Sequence, residues 1–232
     1  MKAFLLAAGH GTRLRPLTDS MPKCLLPIRG VPMLQIWMGL CRRHGIHDVL
    51  INLHAHADIV RGFLNRNTAG IKMHISEEQT LLGSAGTLLA NRSWIGTDSE
   101  FWILYADVLT RTNLDRILEV HKTHSPIATL VVSEVPDPKR CGIVTMDKNG
   151  IVCEFVEKPQ VPTSCLAFSG IMVGSSALFD FIPDCVPADI GFHVLPNLVG
   201  QMAAFRVSDY LLDIGTLENY QIAQTSWPGL EV

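Results

Sequence analysis

The sequence predicts an α/β fold: a mostly parallel sheet flanked by helices, with an antiparallel subregion in the second half. Three observations predict it. Short apolar runs alternate with amphipathic stretches through the first half of the chain. Later, Asn149-Gly150, a strong hairpin turn signal, separates two strand-like runs. The 232 residues are 47% hydrophobic and 18% charged, a globular profile with enough chain for a sizeable core. A single domain over 1–232 is the expectation.

The first strand, Ala3–Ala7, follows Lys2 and runs straight into Gly9-His10-Gly11-Thr12-Arg13, too short an apolar run for a signal peptide. A helix over Met33–Arg43 ends at Gly45, and its Met33, Trp37 and Met38 read as core. Strand Val49–Leu53, helix Asp58–Asn65 and strand Ile71–Ile75 continue a βαβ pattern that builds parallel sheet. Helix Ala85–Asn91 leads to strand Phe101–Tyr105, and helix Leu114–His124 to strand Ala128–Ser133. The hairpin pairs Cys141–Met146 with Ile151–Glu157. Strand Ala167–Val173, a short helix at Ala177–Phe181, strand Ala203–Val207 and a helix at Leu217–Thr225 close the pattern.

A net charge of −3 gives no broad attraction to a phosphate backbone, which argues against nucleic acid as a partner. No apolar stretch reaches membrane-spanning length, so no membrane is expected either. Six scattered cysteines without CxxC pairs suggest neither a disulfide framework nor a metal cluster, and fit a reducing cytoplasm. His44, His47, His54 and His56 read as surface or packing residues.

The chemistry concentrates after the first strand, in Leu6-Ala7-Ala8-Gly9-His10-Gly11-Thr12-Arg13-Leu14-Arg15-Pro16-Leu17-Thr18. Glycines let such a loop approach phosphates with its amides. Leu14 stands where a dinucleotide fingerprint needs its third glycine, which weighs against a nicotinamide-dependent oxidoreductase. Arg13 and Lys23 supply the cations that triphosphate chemistry needs where negative charge accumulates.

The stretch GxGTRLxPLTxxxPKxLLPI resembles the signature of the sugar-1-phosphate nucleotidyltransferases. The likeness continues through Leu82-Gly83-Ser84-Ala85-Gly86-Thr87, Ala106-Asp107-Val108, Phe155-Val156-Glu157-Lys158-Pro159 and Leu212-Asp213-Ile214-Gly215-Thr216. It implies a Rossmann-like sheet of the nucleotide-diphospho-sugar transferase type, whose antiparallel subregion binds the sugar. The implied substrates are a nucleoside triphosphate and a sugar 1-phosphate. Arg13 and Lys23 would be catalytic. Leu6, Ala7, Ala8, Gly9, Gly11, Thr12, Glu78, Gly83 and Ser84 would bind the nucleotide, and Gly86, Glu157, Lys158, Ser169 and Gly170 the sugar phosphate, with Lys158 on its phosphate. Asp107, just past the end of its strand, and Asp213, also expected in a loop beyond a strand end, would hold Mg²⁺, a hard cation suited to oxygen ligands. Taken alone, Asp213 reads as a helix cap or turn residue, and only its pairing with Asp107 in the family pattern makes it a metal ligand.

Two departures bear on specificity. Ala106 replaces a common glycine without disturbing Asp107, and Phe168 stands in Ala167-Phe168-Ser169-Gly170 where many members place an asparagine that holds sugar hydroxyls. The segments from Ser76 to Gly86 and from Asp213 to Thr216 resemble guanylyltransferases for mannose or heptose 1-phosphate. The Phe168 variant resembles uridylyltransferases for hexosamine- or muramate-type sugars. Asp184 and Asp189 could shape a sugar pocket. A monomer or a core-mediated homodimer is implied, because the resemblance carries no β-helix extension. A non-catalytic sugar-nucleotide sensor is the competing class, and it would be expected to have lost Arg13, Lys23 or an aspartate.

Overall fold

The computed structural model describes residues 1–68 and 70–230. It divides into two compact units, each built from separated segments. Met1–Leu81, Leu104–Thr112 and Asp209–Val232 form the first, and Leu82–Ile103 with Asn113–Ser208 the second.

In the first unit, strands Lys2–Leu6, Asp48–Leu53 and Lys72–Glu77 lie parallel, with Lys2 opposite Asp48 and Asp48 opposite Lys72. Helices Met33–Arg43 and Ala57–Leu64 connect them. The first of these helices buries Met33, Leu34, Ile36, Trp37, Met38, Leu40 and Cys41, the apolar stripe its periodicity predicts. Two short strand pairs complete the unit: Pro27–Ile28 with Val31–Pro32, and Val108–Thr110 with Leu211–Asp213. The closing helix, Leu217–Ser226, starts at Thr216, whose hydroxyl accepts from Asn219 N–H at 3.2 Å. Tyr220 Oη and Gln224 Nε2 donate to the Pro27 carbonyl at 2.9 and 2.8 Å, fastening this helix to the hairpin at Pro27.

The second unit is mostly antiparallel. Strand Leu166–Ser175 pairs antiparallel with Ala128–Glu134 and with Gly142–Met146, and the latter forms the expected hairpin with Val152–Glu157. Asp147 Oδ1 secures the hairpin turn by accepting from Asn149 and Ile151 N–H at 2.8 and 2.9 Å. Met202–Arg206 adds a parallel edge to Ala128–Glu134. Between Phe168 and Met172 the register shifts, a bulge that contains Ser169 and Gly170. The helix expected at Ala177–Phe181 is a 3₁₀ turn, Ser176–Phe181. A π-helical turn, Ile190–Val194, appears where no periodicity announced one.

Candidate active site

Within the first unit, a cavity of about 350 Å³ is lined by Leu6, Ala7, Gly9, His10, Gly11, Thr12, Arg13, Lys23, Cys24, Ala106, Asp107 and Gly215. Most of the nucleotide loop expected from the sequence is therefore gathered around one opening. Gly11 has φ +61°, and a Cβ there would meet Thr18 Cγ2 at 2.9 Å. Thr18, buried, donates its hydroxyl to the Gly11 carbonyl at 2.8 Å, so the loop closes on itself before the 3₁₀ turn Thr12–Leu14. At the loop's start, Ala7 N–H donates to Asn52 Oδ1 at 2.7 Å, and Asn52 Nδ2 donates to Glu78 Oε1 at 2.8 Å. Asn52 and Glu78 are 4% and 5% exposed, so Glu78 is positioned to brace the loop through Asn52. Asn52 was not among the residues singled out in the sequence, and the available signal was an amide inside an otherwise apolar strand. His10 was also missed: it lines the cavity with its ring edge-on to His54, 5.0 Å between centroids.

Asp107 lies in the turn after strand Glu100–Tyr105, as expected. Asp213 does not lie in a loop. It is the last residue of Leu211–Asp213, opposite Val108, because that strand pairs directly with the residues after Asp107. Nor is it the cap of the following helix, since Thr216 holds that place. Ile214 N–H donates to the Asp107 carbonyl at 3.0 Å, which joins the two carboxylate-bearing segments. Loss of hydration and then the charge of Asp107 push the Asp213 carboxyl above its ordinary value, while Lys23, the Gly215 amide and Arg13 pull it down. Gly215 N–H donates to Asp213 Oδ1 at 2.6 Å. Lys23 Nζ donates to Asp107 Oδ2 at 2.5 Å. A Cβ on Gly215 would stand 2.8 Å from Asp213 Oδ1 and 2.9 Å from Arg13 Nη2, so Arg13 and Asp213 approach through the space that glycine leaves. Two carboxylates and two cations thus converge on the glycine cleft.

In the second unit, Gly83 enters helix Ser84–Ala90 at φ +80°, ψ 165°, a conformation essentially reserved for glycine, and a Cβ there would collide with the Ala188 carbonyl. That carbonyl accepts from Ala85 and Gly86 N–H at 2.9 and 3.1 Å, so two amides at the helix start are already engaged. Gly83→Ala is expected to lower unfolding free energy by about 2–3 kcal/mol, measurable as a lower urea midpoint. Ser84, expected on the nucleotide, donates its hydroxyl to Asp189 Oδ2 at 2.9 Å and accepts from Ile190 N–H at 2.8 Å. Glu157 ends strand Val152–Glu157 and Lys158 follows it, Oε1 to Nζ 3.6 Å. The Glu157 carboxylate fits between two glycines: a Cβ at Gly142 or at Gly191 would come within 2.6 or 2.5 Å of Oε2. Burial raises its pKa and Asp189 adds to that rise, against the opposing pull of Lys158. Ser169 donates its hydroxyl to the Val131 carbonyl at 2.9 Å, and Gly170 is buried in the bulge.

The nucleotidyl transferase family model matches residues 2–227, and the chain belongs to that family. It is 31% identical over 226 residues to the mannose-1-phosphate guanylyltransferase catalytic subunit beta of Xenopus tropicalis, covering 95% of this chain and 62% of that one. It is 30% identical over 260 residues to the UTP–glucose-1-phosphate uridylyltransferase of a Synechocystis species, covering 100% of this chain and 67% of the relative. The crystal structure of HddC from Yersinia pseudotuberculosis superposes with a TM-score of 0.82 at 25% identity, covering 96% of this chain and 97% of that chain. The expected α/β class and family are both borne out. Among the described residues, no helix is long and apolar enough to cross a membrane.

Proposed function

We propose that the chain acts as one nucleotidyltransferase domain that moves a nucleotidyl group from a nucleoside triphosphate to a sugar 1-phosphate and releases pyrophosphate. The convergence of Asp107, Asp213, Lys23 and Arg13 on the glycine cleft carries this reading. The sensor alternative is disfavoured because all four groups are retained.

The reaction needs no general base. A phosphate oxygen of the sugar 1-phosphate, already anionic, attacks the α-phosphorus in line, the bond to the bridging oxygen breaks, and pyrophosphate leaves. In this reading the loop amides around Gly9 and Gly11 cradle the triphosphate, and Arg13 and Lys23 neutralise charge along it. Lys158 orients the attacking phosphate, and Glu157 meets the sugar.

Asp107 and Asp213 fit Mg²⁺. Both are hard oxygen donors, Asp213 is raised in part by the charge of Asp107, and two protein carboxylates suit an ion that keeps waters and takes phosphate oxygens. Bound there, Mg²⁺ would act as a Lewis acid on the α-phosphate.

For substrates we propose guanylyl transfer to mannose or heptose 1-phosphate, supported by the motif likeness and the guanylyltransferase relative. Uridylyl transfer to a hexosamine- or muramate-type 1-phosphate is the second reading, favoured by Phe168 and the uridylyltransferase relative. We place the enzyme in the cytoplasm, as a monomer or core-mediated homodimer. A matrix of triphosphates against sugar 1-phosphates, read by pyrophosphate release, is expected to give turnover with GTP and mannose or heptose 1-phosphate. Turnover confined to UTP would reverse the choice of base, and binding without turnover for every pair would establish the sensor.

A further inference from the structure

We propose that Phe192 is a positioning residue for Lys158, holding its ammonium in front of the incoming sugar phosphate by a cation–π contact. The inference rests on the reading of Lys158 as the phosphate ligand. Phe192 is 51% exposed, so its ring is not fully taken up by packing. Lys158 Nζ lies 5.0 Å from the centroid of that ring.

Both partners are fixed from behind. Phe192 N–H donates to Asp189 Oδ1 at 3.1 Å, which caps the π-helical turn, and Asp189 is tied through Oδ2 to Ser84. Lys158 has φ +50°, rare for a residue with a side chain, and its amide donates to the Cys141 carbonyl at 2.9 Å. The backbone thus aims the lysine, and the ring catches its far end.

A reason for using a ring follows from charge. An exposed lysine has large rotamer freedom to lose when it grips a phosphate, and holding it beforehand lowers that cost. Glu157 also reaches it, Oε1 to Nζ 3.6 Å, yet a carboxylate offsets part of the charge the phosphate needs. The face of a phenyl ring attracts the ammonium without neutralising it, which leaves its N–H donors for phosphate oxygens.

The test compares wild type with Phe192→Leu, which keeps apolar bulk without a π-face, and Phe192→Tyr, which keeps the face. With whichever pair supports pyrophosphate release, Phe192→Leu is expected to raise KM for the sugar 1-phosphate about two- to fivefold. Its KM for the triphosphate and its kcat should stay at wild-type values, and Phe192→Tyr should restore the KM. A second readout needs no turnover: the ring should shift the Lys158 ε-methylene protons upfield in the NMR spectrum of wild type and Phe192→Tyr but not of Phe192→Leu, with Lys158→Gln identifying the signal. Unshifted Lys158 protons in wild type, or an unchanged sugar-phosphate KM in Phe192→Leu, would overturn the proposal. If no substrate pair turns over, the functional reading fails while the NMR shift still decides the positioning.

Discussion

Asp107→Asn and Asp213→Asn are each expected to lower turnover about a thousandfold, roughly 4 kcal/mol of transition-state stabilisation. Each should also raise the Mg²⁺ concentration needed for the residual rate, because an amide oxygen is a poorer ligand for a hard cation. The fold should survive both changes. Asp213 ends a three-residue strand whose pairing is made by backbone, and Asn keeps the side chain's shape. In chelator, Asp213→Asn should be no less stable than wild type, since it removes a charge that repels Asp107. Thermal melts with and without Mg²⁺ and triphosphate separate the effects: wild type should gain stability on adding both, and the variants should lose most of that gain. Because Thr216 already caps the following helix, capping is no longer available as an explanation for Asp213. An Asp213→Asn protein with unchanged Mg²⁺ dependence would remove Asp213 from the site and leave Asp107 to be tested alone.

What the sequence made legible follows from the range over which each signal acts. Helices Met33–Arg43 and Leu114–His124 match their expected bounds because each carries an apolar stripe over several turns. The hairpin after Met146 was equally plain, since its turn is encoded by adjacent residues. Strand Leu211–Asp213 was not legible: three residues have no period, and the partner that makes them a strand lies about a hundred positions away. That is why Asp213 was expected in a loop. The members of the proposed triphosphate site could be named because glycines and charges stand out, whereas the residues that brace them in the structure could not. Asn52 reads as one polar interruption in a buried strand until the structure shows it joining the Ala7 amide to Glu78. Ser84 was identified by its motif, but its two hydrogen bonds reach residues more than a hundred positions along the chain. Local sequence cannot announce such pairs, because side-chain bonding partners are set by the tertiary fold.

Nothing in the sequence distinguishes the two cations of the cleft, yet their surroundings differ enough to separate their variants. Arg13→Ala and Lys23→Ala are each expected to lower turnover about a hundredfold, as for removing one preorganised charge from the transition state. Arg13 is exposed and borders Gly215, so its loss should change stability by less than about 0.5 kcal/mol. Lys23 has a side chain only 12% exposed, and its loss leaves the Asp107 carboxylate, 31% exposed, without its 2.5 Å partner. Urea denaturation should therefore show a cost of about 1–2 kcal/mol for Lys23→Ala, below that of breaking a fully buried pair because water still reaches Asp107. Adding Asp107→Asn to Lys23→Ala should recover part of that stability without recovering any turnover, since the unpaired charge disappears while a proposed metal ligand goes with it. Near-wild-type turnover in either single variant would show that the cleft is not the catalytic triphosphate site. Failure of the double variant to regain stability would show that Lys23 supports the fold through its aliphatic stem and not through its charge.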